Sequence, residues 1–266
     1  MGINNNTSME TVSGIFFDVA NPSPEDVKLT DIAWSLSRQQ RFAGHTITKL
    51  PYNVAHHSVF VAEIVGQLVD WFDDYSGTYE GIDTDKEAIN NPPPFLSVQD
   101  SFNWAKLASL KDSWQDFSIS LADGVTNSVN EGNTVHPIFM DPRRAIIMLA
   151  LLHDAHEYVL VDIPSPIKQI DSIRAVYKAL EEKIDSVIIE ALFKLSLWPD
   201  VKQHAHAIIK AADMISRKLE AYMYMPSRGS EWAGLPEVDI LAIHNFNEPM
   251  TAVESYQSFM RFFEKV

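Results

Sequence analysis

Residues 151–169 read LLHDAHEYVLVDIPSPIKQ. They follow the run from Ala145 to Ala150, which is apolar throughout. Then come His153-Asp154, His156-Glu157 and a lone Asp162 ahead of Ile163-Pro164-Ser165-Pro166. A helix that only fills a core has no use for so many ionisable groups, because a buried charge is costly unless it is paired or holds a metal. His153-Asp154 therefore reads as half of a metal site, and the other half must lie elsewhere in the chain.

The surroundings of this stretch are helical. In residues 140–160, MDPRRAIIMLALLHDAHEYVL, Asp141 is placed to cap a helix and Pro142 to occupy its first position. Apolar residues cover nearly the whole circumference, so this reads as one central helix ended by DIPSP. Residues 52–72, YNVAHHSVFVAEIVGQLVDWF, read as a second central helix with Asn53 as its cap. A third begins at Pro199, in WPDVKQHAHAIIKAADMISRKLEAYMYM. Around them, KLTDIAWSLSRQQRF is a helix capped by Thr30 with Ile32, Leu36 and Phe42 on its apolar stripe. A long amphipathic helix runs from Asp171 to Leu195, and a last one from Glu248 to Glu264. The expectation is an all-α bundle.

Each central helix carries an ionisable residue inside its apolar surface: His57, then His153 and Asp154, then Asp213. Side chains projecting inward from facing helices are a normal way to build a metal site in a bundle. Two imidazoles and two carboxylates suit one divalent first-row ion. Neighbouring residues on a helix lie about 100° apart, so His153 and Asp154 can share an ion only if the helix presents its edge. His56 points about 100° away from His57 and reads as a wall or supporting residue. HDAHE matches neither zinc-protease motif. His204 and His206 diverge on their helix and read as surface residues, and His45 and His136 sit in loop-like contexts.

Composition narrows the function. The 266 residues can bury a sizeable core, and their net charge is −15. Between Asp70 and Glu131 there are 12 acidic and 3 basic residues, a net of −9 that leaves −6 for the rest. Such a chain has no counterion-releasing face for duplex nucleic acid. Cysteine is absent, which excludes disulfides, a thiolate nucleophile and Cys-ligated zinc. No run is long and apolar enough for a membrane span, and MGINNNTSMETVSG lacks the features of a secretory signal. A cytoplasmic protein is expected (in the host cytoplasm if phage-encoded). Residues from about 73 to 140, with NPPPF and one helical stretch near Ser101 to Asp116, read as an acidic, partly helical insertion, either a lid or a hairpin without functional role.

The pattern resembles the HD-domain metal-dependent phosphohydrolases, whose mark is a His, a His-Asp pair and a distant Asp on helices. NVAHHSVFVA followed by LLHDAHEYVLVDIPSPIK resembles the branch of bacterial 5'-deoxynucleotidase and the small phage deoxynucleoside triphosphohydrolases. It spans roughly residues 25–72 and 141–225. By this resemblance the metal ligands are His57, His153, Asp154 and Asp213. Glu157 and Asp162 occupy the places of the branch's catalytic carboxylates. Arg41 and Phe42 match its Arg-aromatic pair, although Phe42 stands where the deoxynucleotidase has Trp, and His56 stands where Glu or Gln is usual.

Glu157 lies one turn beyond His153 and is expected to lean over the same face. Arg41 is expected to grip a phosphate, Lys168 is a weaker candidate for that role, and Phe42 and His56 line the pocket. The cofactor implied is one divalent transition metal ion (Co, Mn, Zn, Fe or Ni), with additional Mg²⁺ for a triphosphate substrate. The partner implied is a small-molecule deoxynucleotide, with no duplex nucleic acid or membrane, and a homo-oligomer is expected. The sequence leaves open a hydrolase of another, signalling nucleotide, a non-catalytic nucleotide-binding protein, and a structural bundle.

Overall fold

The computed structural model describes residues 7–74, 101–197, 199–236, 238 and 248–266. They form an all-α bundle with one small hairpin. In it β1 (Ser8–Glu10) pairs antiparallel with β2 (Phe16–Asp18), Met9 opposite Phe17. Periodicity missed these strands because each has only three residues. The hairpin is pinned from behind: Phe17 is buried edge-on to Tyr158, and the Thr11 and Ser13 hydroxyls each donate to Asp31 Oδ2 at 2.7 Å.

The helices are α1 (Leu29–Leu36), α2 (Val54–Asp74), α3 (Ser101–Asn130), α4 (Pro142–Leu151), α5 (Glu157–Leu160), α6 (Ser165–Lys168), α7 (Asp171–Phe193), α8 (Pro199–Tyr224) and α9 (Ala252–Lys265). Helix α2 is central and packs against α4, α8 and α9. Val54, Ala55, Val61, Val65, Leu68 and Val69 are all fully buried along it, as its all-round apolar sequence requires. In α4 every residue from Ala145 to Leu151 is buried. Asn53 caps α2, its Oδ1 accepting the His56 N–H at 3.0 Å. Asp141 caps α4, accepting the Arg144 N–H at 3.2 Å.

Several helix boundaries differ from expectation. Helix α1 starts at Leu29 with Lys28 in the cap position, so Thr30 lies inside it. It ends at Leu36, which takes Phe42 off its stripe and into a separate turn. Helix α4 does not run on to Leu160: it stops at Leu151, and α5 begins at Glu157. Helix α9 begins at Ala252, where Thr251 and Glu254 form a reciprocal capping box. That box, and not Glu248, supplies the start signal.

The helix expected at 101–116 continues to Asn130 and packs along α8. Residues 75–100 of the expected acidic insertion lie outside the described residues. Phe117 and Leu121 of α3 are buried in the same core as α2 and α4. Replacing Phe117 with Ala should cost about 3–5 kcal/mol of stability. Replacing the neighbouring exposed Asp116 with Ala should cost under about 0.5 kcal/mol. Urea unfolding of both variants checks this, and equal small effects would mean that α3 does not share the core.

Candidate metal centre

Helix α4 stops one residue short of the His-Asp pair, although no Gly or Pro breaks it. The reason is His153 itself. Its backbone N–H and its ring Nδ1 both turn to the Ala150 carbonyl, at 3.3 and 2.8 Å. A continuing helix would give that carbonyl to the Asp154 N–H, so a side-chain bond competes with the ladder. The chain then tightens through residues 152–156, which brings His153 and Asp154 to one point. On a regular helix they would diverge. Glu157 is therefore not one helical turn above His153; it opens a new helix after the break.

Three groups of atoms meet at that point. His57 Nε2 and His153 Nε2 are 3.3 Å apart. Asp154 Oδ2 lies 3.4 Å from the first and 3.2 Å from the second. From α8, Asp213 Oδ1 faces His57 Nε2 at 3.6 Å, while its Oδ2 accepts from Lys210 Nζ at 2.7 Å. The structure thus brings His57, His153 and Asp154 within reach of one ion, with Asp213 alongside. Ligand atoms each about 2.1 Å from an ion stand roughly 3.0–3.4 Å apart at right to tetrahedral angles.

The hydrogen bonds behind the imidazoles settle which nitrogens are free. A carbonyl only accepts, so His153 Nδ1 carries a proton, which in the neutral ring places the lone pair on Nε2. His57 Nδ1 meets the Glu220 carboxylate at 2.6 Å, which leaves the His57 Nε2 lone pair aimed at the cluster. Two such lone pairs and a carboxylate at this spacing repel unless a cation, either a proton or a metal ion, lies among them. The electrostatics agree. Burial and the Arg41 guanidinium push His57 down, but Glu220 and Asp154 outweigh them and raise it to about 9. Burial pushes Asp154 up, and the imidazoles of His153 and His57 overcome it and hold Asp154 well below the usual carboxylate range. The pocket collects positive charge, and its donor set fits a divalent ion. A second grouping shares Asp154 with His156 and Glu157. There His156 is already engaged by Asp185 at 3.0 Å and Glu181 at 3.3 Å, which makes it the poorer metal site.

Arg41 sits on the rim, buried, with Nη1 3.5 Å from Asp154 Oδ2 and Nε 3.6 Å from Glu220 Oε2. Burial works against its charge, and Glu220, Asp154, Asp162 and Asp213 more than restore it. The turn that aims it is unusual. Phe42 and Ala43 have φ of 55° and 50°, and Gly44 has φ 78°. Non-glycine residues adopt this left-handed region at a cost of about 1–2 kcal/mol each, so the surroundings must impose it. Glycine suits position 44 because a φ of 78° is a conformation that L side chains rarely adopt. The Phe42 ring lies 5.6 Å from Trp232, edge to face.

Glu157 is buried, with Oε1 3.7 Å from Lys168 Nζ. Burial, then Asp154 and Asp162, raise it to about 8. Lys168 is not a free surface lysine: it donates to Glu181 at 2.9 Å and lies over the Tyr177 ring. Gln39, which the sequence did not single out, ties both carboxylate segments together. Its Nε2 donates to the Glu157 carbonyl at 2.7 Å, and its Oε1 accepts the Asp162 N–H at 3.0 Å. The intervening Val161 has φ 61°, a strained value for a β-branched residue. His56 turns away from the cluster, against the Tyr52 ring and the Met250 N–H. Burial lowers it to about 4.

Glu157 has a measurable consequence for the metal-stripped protein. Its folded pKa near 8 stands above the ordinary 4.5. The folded state therefore holds the proton more tightly, and stability falls as pH rises from about 4.5 to 8. Glu157→Gln removes that penalty. Relative to wild type it should gain on the order of 2–4 kcal/mol between pH 5 and 8, read by denaturant titration at each pH. Parallel curves would refute the raised pKa.

A helical bundle that gathers one His and a distant Asp from two helices, and a His-Asp pair from the turn after a third, has the all-α fold of an HD-domain phosphohydrolase. The family model described as 5'-deoxynucleotidase YfbR-like matches residues 129–263, and the chain belongs to that family of hydrolases. The match includes His153, Asp154, Glu157, Asp162, Lys168 and Asp213, and it begins after Arg41, Phe42 and His57. An uncharacterized protein of Rhodobacter capsulatus is 24% identical over 210 residues, covering 79% of this chain and 69% of that protein. Among the described residues, no helix is long and apolar enough to cross a membrane.

Proposed function

We propose that the protein hydrolyses the phosphoester bond at the 5' oxygen of a 2'-deoxynucleotide, with a deoxynucleoside monophosphate as substrate. The observation that carries this reading is the convergence of His57 Nε2, His153 Nε2 and Asp154 Oδ2 beside the buried cation Arg41. His57, His153, Asp154 and Asp213 are the residues that would hold a divalent ion. The chemistry such an ion supplies is charge neutralisation at the phosphoryl oxygens and a lowered pKa for water.

The protein's own residues do the rest. Arg41 pairs with phosphate oxygens in fork geometry. Glu157, buried beside Asp154, is the group that takes a proton from the attacking water. As the new oxygen–phosphorus bond forms, the bond to the 5' oxygen breaks. Asp162, spaced from Glu157 by Gln39, is the partner group for the proton on that leaving oxygen. A triphosphate substrate, cut at the same bond, is the second reading. Lys210 and Arg217 favour it, since both flank Asp213 and keep part of their side chains exposed for further phosphates.

The test is a screen of ribo- and deoxynucleoside mono- and triphosphates with Co²⁺, Mn²⁺, Mg²⁺ and Zn²⁺, products separated by chromatography. Release of orthophosphate from monophosphates supports the first reading, and release of intact triphosphate supports the second. No turnover of any deoxynucleotide overturns both.

Sugar choice should depend on Phe42, which follows the phosphate-binding Arg41 and is backed by Trp232. An apolar wall rejects an extra hydroxyl by about 10²-fold at most. Phe42→Ala should narrow the deoxy-to-ribo ratio of kcat/KM, and Arg41→Ala should weaken every substrate alike. An unchanged ratio in Phe42→Ala means that another residue forms the wall.

A further inference from the structure

Glu220 has no role in the chemistry described so far, yet it is among the most constrained groups in the molecule. It is fully buried on α8, seven residues beyond Asp213, so both carboxylates lie on one face of that helix two turns apart. Its Oε1 meets His57 Nδ1 at 2.6 Å, accepts the Ser216 hydroxyl at 2.5 Å and accepts the Tyr52 hydroxyl at 2.9 Å. Its Oε2 faces Arg41 Nε at 3.6 Å. A buried carboxylate is retained only where its partners repay its desolvation, and here those partners come from three separate parts of the chain.

From this geometry we infer that Glu220 is a positioning residue that sets the metal-binding imidazole of His57 and the phosphate-binding guanidinium of Arg41 from one carboxylate. Through Oε1 it fixes the tautomer and plane of the His57 ring and makes Nε2 a stronger donor atom. Through Oε2 it gives Arg41 a fixed counter-charge on the side away from Asp154. The guanidinium is thus held between two carboxylates, with Nη1 toward the metal cluster. Ser216 and Tyr52 supply the hydrogen bonds that keep the carboxylate itself from rotating. The inference rests on the proposed reading of His57 and Arg41, and it adds a coupling between them: metal affinity and phosphate affinity share one anchor.

The experiment uses the full chain with Glu220→Gln, stripped of metal and titrated with Co²⁺ by calorimetry. Loss of the carboxylate–imidazole contact should weaken Co²⁺ binding by about 10–100-fold, with helical content unchanged by circular dichroism. At saturating Co²⁺ the remaining defect should appear as a raised KM for the phosphate ester with kcat within a few-fold of wild type, the signature of lost ground-state grip. Should the Gln variant not fold, Glu220→Asp reads the same two quantities, since it keeps the charge but is one methylene too short to reach both partners.

Wild-type Co²⁺ affinity in a folded variant overturns the inference. Weakened Co²⁺ binding with an unchanged KM overturns its Arg41 half. The titration needs no substrate. A protein whose Co²⁺ affinity depends on Glu220 but which cleaves no deoxynucleotide refutes the proposed activity and leaves the positioning role standing.

Discussion

Asp154→Ala should abolish hydrolysis and lower the bound metal well below one ion per chain. Asp154 Oδ2 is the atom on which the site turns: it lies within 3.5 Å of His57 Nε2, His153 Nε2 and Arg41 Nη1. Removing it leaves two imidazole lone pairs facing each other and a buried guanidinium with less counter-charge. Breaking a buried charge set by deleting one partner costs about 3–5 kcal/mol, so the variant should also be less stable. Metal analysis after extensive dialysis, together with a turnover assay, decides the matter. His57→Ala, His153→Ala and Asp213→Ala should behave alike. An Asp213→Ala protein with full metal content and full activity would reduce the site to three ligands.

Glu157→Ala and Asp162→Ala should separate chemistry from metal binding. Both should keep the ion, because neither residue belongs to the His57–His153–Asp154 group. Both should lose turnover by about 10²–10⁴-fold, the usual size of an acid–base contribution. The effect should fall on kcat rather than KM, since a proton acceptor acts as the bond order at phosphorus changes. Gln39→Ala offers a graded control. It leaves both carboxylates present but removes the amide that spaces them, so a smaller loss is expected. Normal turnover in both carboxylate variants would make Glu157 and Asp162 structural and sink the proposed mechanism.

The sequence by itself determined the helical class and most of the helix starts. Capping and first-turn signals are local, and Asn53, Asp141-Pro142 and Pro199 act within a few residues of themselves. It also determined which groups form the cluster, because an ionisable residue inside an all-apolar helix must be paired or hold an ion to offset its desolvation. Glu220 carried a legible signal, seven residues from Asp213 on one face, but a Glu near a helix end reads as a surface charge until its partners are known.

Side-chain contacts, most of them tertiary, decided the rest. The break after Leu151 depends on a ring nitrogen reaching a carbonyl, and apolar periodicity reports only the regular ladder that this bond replaces. The left-handed turn at Phe42 and Ala43 has no local residue preference behind it and is imposed by what packs around Arg41. His56 faces Tyr52 and Met250 rather than the metal cluster because helix rotation is set by the neighbours of α2. Gln39 and Glu220 acquire their roles from partners at least 118 positions away in the chain. Pairings at that separation are fixed by how helices stack, a long-range property on which propensity and periodicity carry no information.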